Sequence, residues 1–500
     1  GGDGEAEGFV GANGIFGGVI VEKVVGSRLL IRESGGGEEA DGEEGAKKDG
    51  EDEVPGKNRS VLNFATHDFL GMSSSPEEDG DDLEDGEGDD SATAPNAGDK
   101  NTGVSKSDES SSPPTVKAAA RAALSRYGCG SCGPRGFYGT IDAHLDLEKS
   151  ISSFTSTQGA IMYSDGASAC TSTVAAFAKR GDLLVVDECV YEALGTGITL
   201  SRANVRYFKH NDVDDLRRVL EKIKATDERL GRKSRDQRRF IVVEGVYRNY
   251  GTVAPLDEIA KLKREFRYRL ILDESHSFGT LGDTGRGGVE HFNLRPMVDV
   301  EITTISLENS LGSIGGVTVG NEEVVDHQRL SGAGYCFSAS APPFTARAAA
   351  AALERMKAEP AILQRLRTNR ERMHEALEGR DEGRVLRGIV PERLRVGSDP
   401  LSPIVFLCFP VGGHGDGSDG STTDGLTREE QCAILDAVAA SCLRRGVALV
   451  STGGHVRDHL HKVPPPSLRM TLSASQSPED VDEVLRVLRD SVLEVLGEDD

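Results

Sequence analysis

Several side chains in this sequence have the types and settings from which chemistry is built. In DESHSFGTLGDTGRG (273–287), Asp273 and His276 sit three residues apart, directly after the apolar run YRLILDES. An aspartate at the carboxyl end of a parallel strand stands where open α/β sheets bind ligands. Buried there it needs a positive partner, and the protonated ring nitrogen of a cofactor would serve. The competing reading is an aspartate that caps the next turn, and His276 taken singly is as ambiguous. YSDGASACTSTVAAF (163–177) runs from a strand through Gly166 into a helix whose first amides can hold a phosphate, although such turns are common. In PPPSLRMTLSA (464–474), Arg469 opens a strand and offers the bidentate clamp a carboxylate substrate needs. A plain surface arginine is the alternative. SLENSLGSIGG (306–316) joins two β-branched runs through a small-residue loop, a good seat for a reactive group. It contains no lysine, cysteine or histidine, and Asn309 sits where it turns.

The elements that must position these residues are legible as periodic runs. AIMYS, DLLVVD, RRFIVVEGVY and YRLILDES read as buried strands, and VDVEITTI and VTVG flank the Asn309 loop. TSTVAAFAKRG, VDDLRRVLEKIKA and PLDEIAKLKREF read as the amphipathic helices between them. TVKAAARAALSRYG (115–128) predicts a helix stopped by Gly128, and IDAHLDLEKSISSF a second one. Strands alternating with helices of this length imply an α/β fold with a mostly parallel sheet covered on both faces. One long Ala-rich helix is expected from 343, FTARAAAAALERMKAEPAILQRLRTNRERMHEAL. Beyond it LSPIVFLCF, VALVST and LRMTLSA alternate with two helices as a smaller α+β unit. The expected divisions are an N-terminal segment over 1–60, a large domain over 61–345 with an acidic insertion at 76–114, and a C-terminal domain over 346–500.

The formal charge of −24 argues against nucleic-acid binding, since phosphate needs basic surface. Residues 1–57 carry net −8 and residues 77–109 net −11. Both stretches are poor in apolar residues and are expected to be disordered. Only Cys129 and Cys132 among eight cysteines have C-x-x-C spacing, with no second pair to complete a zinc site, which fits a reduced, cytosol-facing protein. No run of about 20 apolar residues is present to span a bilayer. The chain begins with Gly1 rather than Met, which leaves an N-terminal anchor open.

NFATHDFLGMS, the GPRGFYGT loop with HLDLE, FKHND (208–212), VVEGVYRNYGTVAPL and DESHSFG…GRG together resemble, in this order, the α-oxoamine synthases. These are pyridoxal 5'-phosphate (PLP) enzymes of aminotransferase-like fold type I that condense an amino acid with an acyl thioester. The resemblance covers about 61–75 and 115–495. RYGCGSCGPRGFYGTIDAHLDLE, RRFIVVEGVY and DHQRLSGAGYCFSASAPP (326–343) most resemble the non-catalytic chain of heteromeric serine C-palmitoyltransferases.

That resemblance implies the roles of individual positions. Aligned on GSIGG, Asn309 stands where catalytic members carry the lysine that binds PLP covalently, and an amide nitrogen is not nucleophilic. Asp273 and His276 match the residues that face the pyridine nitrogen and the ring oxygen. Tyr191, four residues past Asp187, replaces the histidine that stacks on the ring. Gly166 and Ser306 fall at further pocket positions, and Arg469 at the substrate-carboxylate position. Arg135, Phe137 and Tyr138 of the GPRGFYGT loop, with Ser338 and Ser340 of CFSASAPP, match parts that reach into the opposite subunit's site. The implied partner is a lysine-bearing catalytic subunit holding PLP, with L-serine and palmitoyl-CoA at a shared site, at the endoplasmic reticulum membrane and alongside small regulatory membrane proteins. Two alternatives remain at this point: a self-sufficient homodimeric synthase, and a scaffold for lipid-pathway regulators. The first needs a lysine near 309, yet none lies between Lys263 and Lys357.

Overall fold

β-Branched and apolar runs of five or six residues build the central sheet of the computed structural model, which describes residues 19–33, 58–73, 114–232, 237–377, 394–410, 425–453 and 461–497. A hairpin of Val19–Val25 (β1) and Arg28–Glu33 (β2) pairs antiparallel with Asn58–Asn63 (β3). The central strands are Gly159–Tyr163 (β4), Leu183–Asp187 (β5), Asn204–Phe208 (β6), Arg239–Glu244 (β7), Arg269–Asp273 (β8), Ile302–Ser306 (β9) and Gly316–Gly320 (β10). Their order across the sheet is β4-β10-β9-β8-β7-β5-β6, and β10 alone runs against its neighbours. The expected mostly parallel sheet is therefore present.

Each parallel step needs a crossover, and helices supply them. Val116–Tyr127 (α1) and Asp142–Phe154 (α2) precede β4, followed by Gly166–Phe177 (α3), Glu192–Ser201 (α4), Val213–Leu230 (α5) and Leu256–Phe266 (α6). Covering both faces explains why β7 reads RFIVVE without alternation: Phe240, Ile241, Val242 and Val243 are all fully buried. At about 1.5–3 kcal/mol per large apolar side chain, such strands hold the carboxyl edge of the sheet rigid. Asp187, Glu244, Asp273 and Ser306 all end strands on that edge.

Three expectations change. The first 57 residues are not uniformly without structure, because VIVEKVV and RLLIRE form the hairpin and bury Leu29 and Ile31. The net charge of the whole stretch masked two β-branched runs separated by Gly26. The helix expected as one long element from 343 is two, Pro343–Ala358 and Ala361–Leu377. Pro360 lacks an N–H and bars Glu359 from the helical region, so Glu359 takes φ −121 and ψ 72. VALVST also divides, into Val447–Ala448 (β13) and Val450–Ser451 (β14). Before it come Arg395–Val396 (β11) and Ile404–Cys408 (β12), and after it Ser467–Thr471 (β15). The first half pairs parallel with β3, and the second joins β11, β12 and β15 in a third sheet. The acidic insertion at 77–109 lies outside the described residues.

Candidate functional site

At the carboxyl edge of β8 and β9 a cavity of about 320 Å³ opens. Its wall includes Gly166, Tyr191, His276, Ser306, Asn309 and Arg469, all singled out in the sequence. Asp273 lies beneath, 1% exposed. One carboxylate oxygen, Oδ1, accepts from the Ser275 amide at 3.0 Å, Ser275 Oγ at 2.6 Å and Thr304 Oγ1 at 3.1 Å. The other, Oδ2, makes no hydrogen bond, although the Tyr191 hydroxyl lies beside the carboxylate. Burial pushes the Asp273 carboxyl up from its ordinary range. His276 is 3% exposed with Nδ1 unbonded; burial, then Arg248 and Arg469, hold its imidazole neutral at pH 7 by lowering its pKa.

Asn309 is turned into the protein. Its Nδ2 donates to the Ser275 carbonyl at 2.7 Å, and its own carbonyl accepts from the Phe69 amide at 2.9 Å. The side chain thus ties the 307–315 loop to the turn after β8. Ser275 Oγ in turn accepts from the Ser306 amide at 3.0 Å. Tyr191 is 4% exposed, and its hydroxyl donates to Cys170 Sγ on α3 at 2.9 Å. Its ring meets His276 edge-on, 6.4 Å between centroids, with the Arg248 guanidinium 5.8 Å away on the same ring. Arg469 reaches from β15 and donates to the Ala65 carbonyl at 2.9 Å.

Among the wall residues not picked out as site residues from the sequence are three that carry titratable or cationic groups against His276, Asn309 or the α3 start: His67, Arg248 and Glu308. His67 stacks on Phe69 at 5.6 Å and meets His276 edge-on at 5.4 Å, with its Nε2 buried and unbonded. Desolvation, then the charge on Arg469, lowers its pKa well below the ordinary value. All three lie inside or beside quoted motifs; the acidic residue immediately before Asn309 was the available signal for Glu308.

The residues assigned to a neighbouring subunit divide. Tyr138 is 94% exposed and Phe137 75%, and beside Ser338 the structure adds Phe337, not singled out in the sequence, at 88%. Arg135 instead faces inward at 6% exposure, paired with buried Glu148 of α2 at 2.9 Å, so it clamps its loop to its own subunit rather than serving as an exposed anchor. Ser340 is also held internally: its amide and Oγ both donate to the Gly133 carbonyl, at 3.0 and 2.8 Å. That pair of bonds joins the CFSAS segment to the GPRGFYGT loop. Ser338 is half-buried, with Oγ donating to the Ala339 carbonyl at 3.3 Å.

The class I and II aminotransferase model matches residues 101–488. Serine palmitoyltransferase 1 of Dictyostelium discoideum is 38% identical over 75% of this chain and 74% of its own length. The chain belongs to the serine palmitoyltransferase 1 family. Long chain base biosynthesis protein 1 of Arabidopsis thaliana is 41% identical over 72% of this chain and 68% of its own. Among solved structures, Sphingomonas wittichii serine palmitoyltransferase superposes with a TM-score of 0.68 at 22% identity, covering 95% of this chain and 92% of that one. The 8-amino-7-oxononanoate synthase of Francisella tularensis has the same fold, with a TM-score of 0.60 at 19% identity, covering 87% and 98%.

PLP is the cofactor of the wider aminotransferase family. In this chain the bare Asp273 Oδ2 suits a protonated ring nitrogen, but two other requirements fail. Asn309 cannot bond covalently to the cofactor, and the helix start that would take the phosphate shares its cavity wall with two acidic residues, Asp165 and Glu308. The residues present do not fit PLP, so no catalytic step in this chain's own cavity is derived through it. No helix among the described residues is long and apolar enough to cross a membrane.

Proposed function

We propose that this chain is the lysine-free subunit of a heteromeric serine C-palmitoyltransferase. That complex condenses L-serine with palmitoyl-CoA, releasing CoA and carbon dioxide, to give 3-ketodihydrosphingosine. The observation that carries the reading is Asn309. The fold and the carboxyl-edge cavity are intact, yet the position for covalent attachment holds an amide engaged with the Ser275 carbonyl. Lys263, the nearest preceding lysine in sequence, is committed to Glu301 at 2.5 Å and to the Val298 carbonyl at 2.9 Å. This disfavours a self-sufficient homodimer.

PLP, held covalently by a lysine-bearing partner, supplies the electron sink for the α-carbon of serine. This chain's part is to bind that partner and wall its site. Phe137, Tyr138 and Phe337 present exposed aromatic faces on two segments tied together through Gly133 and Ser340. Exposed aromatics on a rigid loop are the anchors that dominate protein interfaces. Ser338, on the same segment, is the hydroxyl best placed to reach across. The reading carries with it an endoplasmic reticulum setting, cytosol-facing, and small regulatory membrane proteins as further partners.

The test is to express the chain with and without the lysine-bearing subunit and follow CoA release from palmitoyl-CoA in the presence of L-serine. Turnover is expected only from the co-purified pair. Serine-dependent turnover by this chain alone would overturn the reading.

A further inference from the structure

The amino terminus of α3 opens onto the same cavity, with Asp165, Gly166 and Ala167 in its wall. A helix start carries roughly half a positive charge and unpaired amides, so it attracts an anion. Here the chain supplies two anions of its own. Asp165 is the N-cap: Oδ1 accepts from the Ser168 amide at 2.7 Å, and Oδ2 from Ser168 Oγ at 2.6 Å and Ser164 Oγ at 3.0 Å. Glu308 is the second, lining the same cavity wall as Gly166. The turn that presents it is fixed, because the Glu308 amide donates to Ser306 Oγ at 3.2 Å. That turn lies hard against the helix: a Cβ on Gly166 would stand 2.8 Å from Ser306 Oγ. Arg248 is the nearby counter-charge.

We propose that Glu308 is a built-in substitute for a phosphate group, closing this chain's own cavity to phosphorylated cofactors independently of the missing lysine. A phosphate arriving at α3 would meet two acidic side chains, Asp165 and Glu308, at one helix start. The crowding is already visible: desolvation, then the charge on Asp165, raise the Glu308 carboxyl above its ordinary range. The inference goes beyond the subunit assignment, since it concerns this chain's cavity whether or not a lysine-bearing partner completes another.

The test compares two probes on the full chain, 4-deoxypyridoxine and its 5'-phosphate. Neither has an aldehyde, so lysines elsewhere cannot trap them. For the unaltered chain, the phosphorylated probe should bind no more tightly than the unphosphorylated one, because its phosphate meets two acidic side chains. Glu308→Ser should bind the phosphorylated probe at least tenfold more tightly while its affinity for the unphosphorylated one stays the same. Glu308→Gln, which keeps the shape without the charge, should fall between. Melting curves establish that each variant is folded; should Glu308→Ser fail to fold, the Gln variant and the unaltered chain carry the comparison. A tenfold preference for phosphate in the unaltered chain would overturn the proposal, as would folded variants that gain no such preference.

Discussion

Replacing Arg135 by alanine should destabilise this chain strongly, whereas replacing its near neighbour Tyr138 should not. Arg135 pairs with Glu148 at 2.9 Å, both side chains being under a tenth exposed. The guanidinium also donates to the Met162 carbonyl at 3.3 Å and to Thr140 Oγ1 at 3.1 Å, and it lies 5.4 Å over the Tyr335 ring. Removing one partner of a buried pair leaves the other charge uncompensated and costs about 3–5 kcal/mol. With about 2.1 cal/mol/K of unfolding entropy per residue over roughly 370 described residues, Tm should fall by about 4–6 °C. The double change Arg135→Met with Glu148→Leu should recover most of that loss, since apolar replacements of a buried pair are often neutral. Tyr138, at 94% exposure, supports nothing in its own subunit, so Tyr138→Ala should shift stability by under about 0.5 kcal/mol. It should instead weaken binding to the lysine-bearing subunit by about 2 kcal/mol, roughly 30-fold in Kd. Scanning calorimetry and a surface binding assay separate the two effects. An unchanged Tm for Arg135→Ala would refute the clamp. A Tyr138→Ala that melts early yet binds normally would refute the division between clamp and anchor.

Two further outcomes follow from the same geometry. His276 has a folded pKa below its ordinary 6.5, so as pH falls the unfolded chain takes the proton first. Its contribution is level above about pH 6.5 and destabilising below it; His276→Asn should shrink the stability difference between pH 7.5 and pH 5.5 by about 1.4 kcal/mol, read by urea unfolding at both values. Gly139→Ala should lower Tm and co-purification together, because its Cβ would collide with the Gly133 carbonyl and Ser340 Oγ that join the two partner-facing segments; normal melting and normal assembly would count against that junction.

The central sheet was legible because strands buried on both faces read as unbroken apolar runs, as in IVVE and LILD. NVRYF (β6) escaped because an edge strand is half-exposed, and its Arg206 interrupts the run. The hairpin at 19–33 was hidden by averaging charge over a longer stretch. In the site, Asp273 and His276 could be found from their place after a strand, and Asn309 from the turn of a small-residue loop between two strands. The inward turn of Arg135 could not, because which way an arginine points depends on Glu148, thirteen residues on and across a helix. The packing of the Ser306 turn against Gly166 of α3 likewise joins residues 140 positions apart, a distance no local pattern reports.

The central claim is that this chain carries no covalent cofactor lysine and that its partner does. The most direct measurement is borohydride reduction of the co-purified, PLP-loaded complex, followed by mass mapping of peptides from both chains. The account predicts a pyridoxyl group on one lysine of the partner and none on any cavity peptide of this chain. A pyridoxyl-modified lysine from this chain's cavity, in stoichiometric amount, would contradict it.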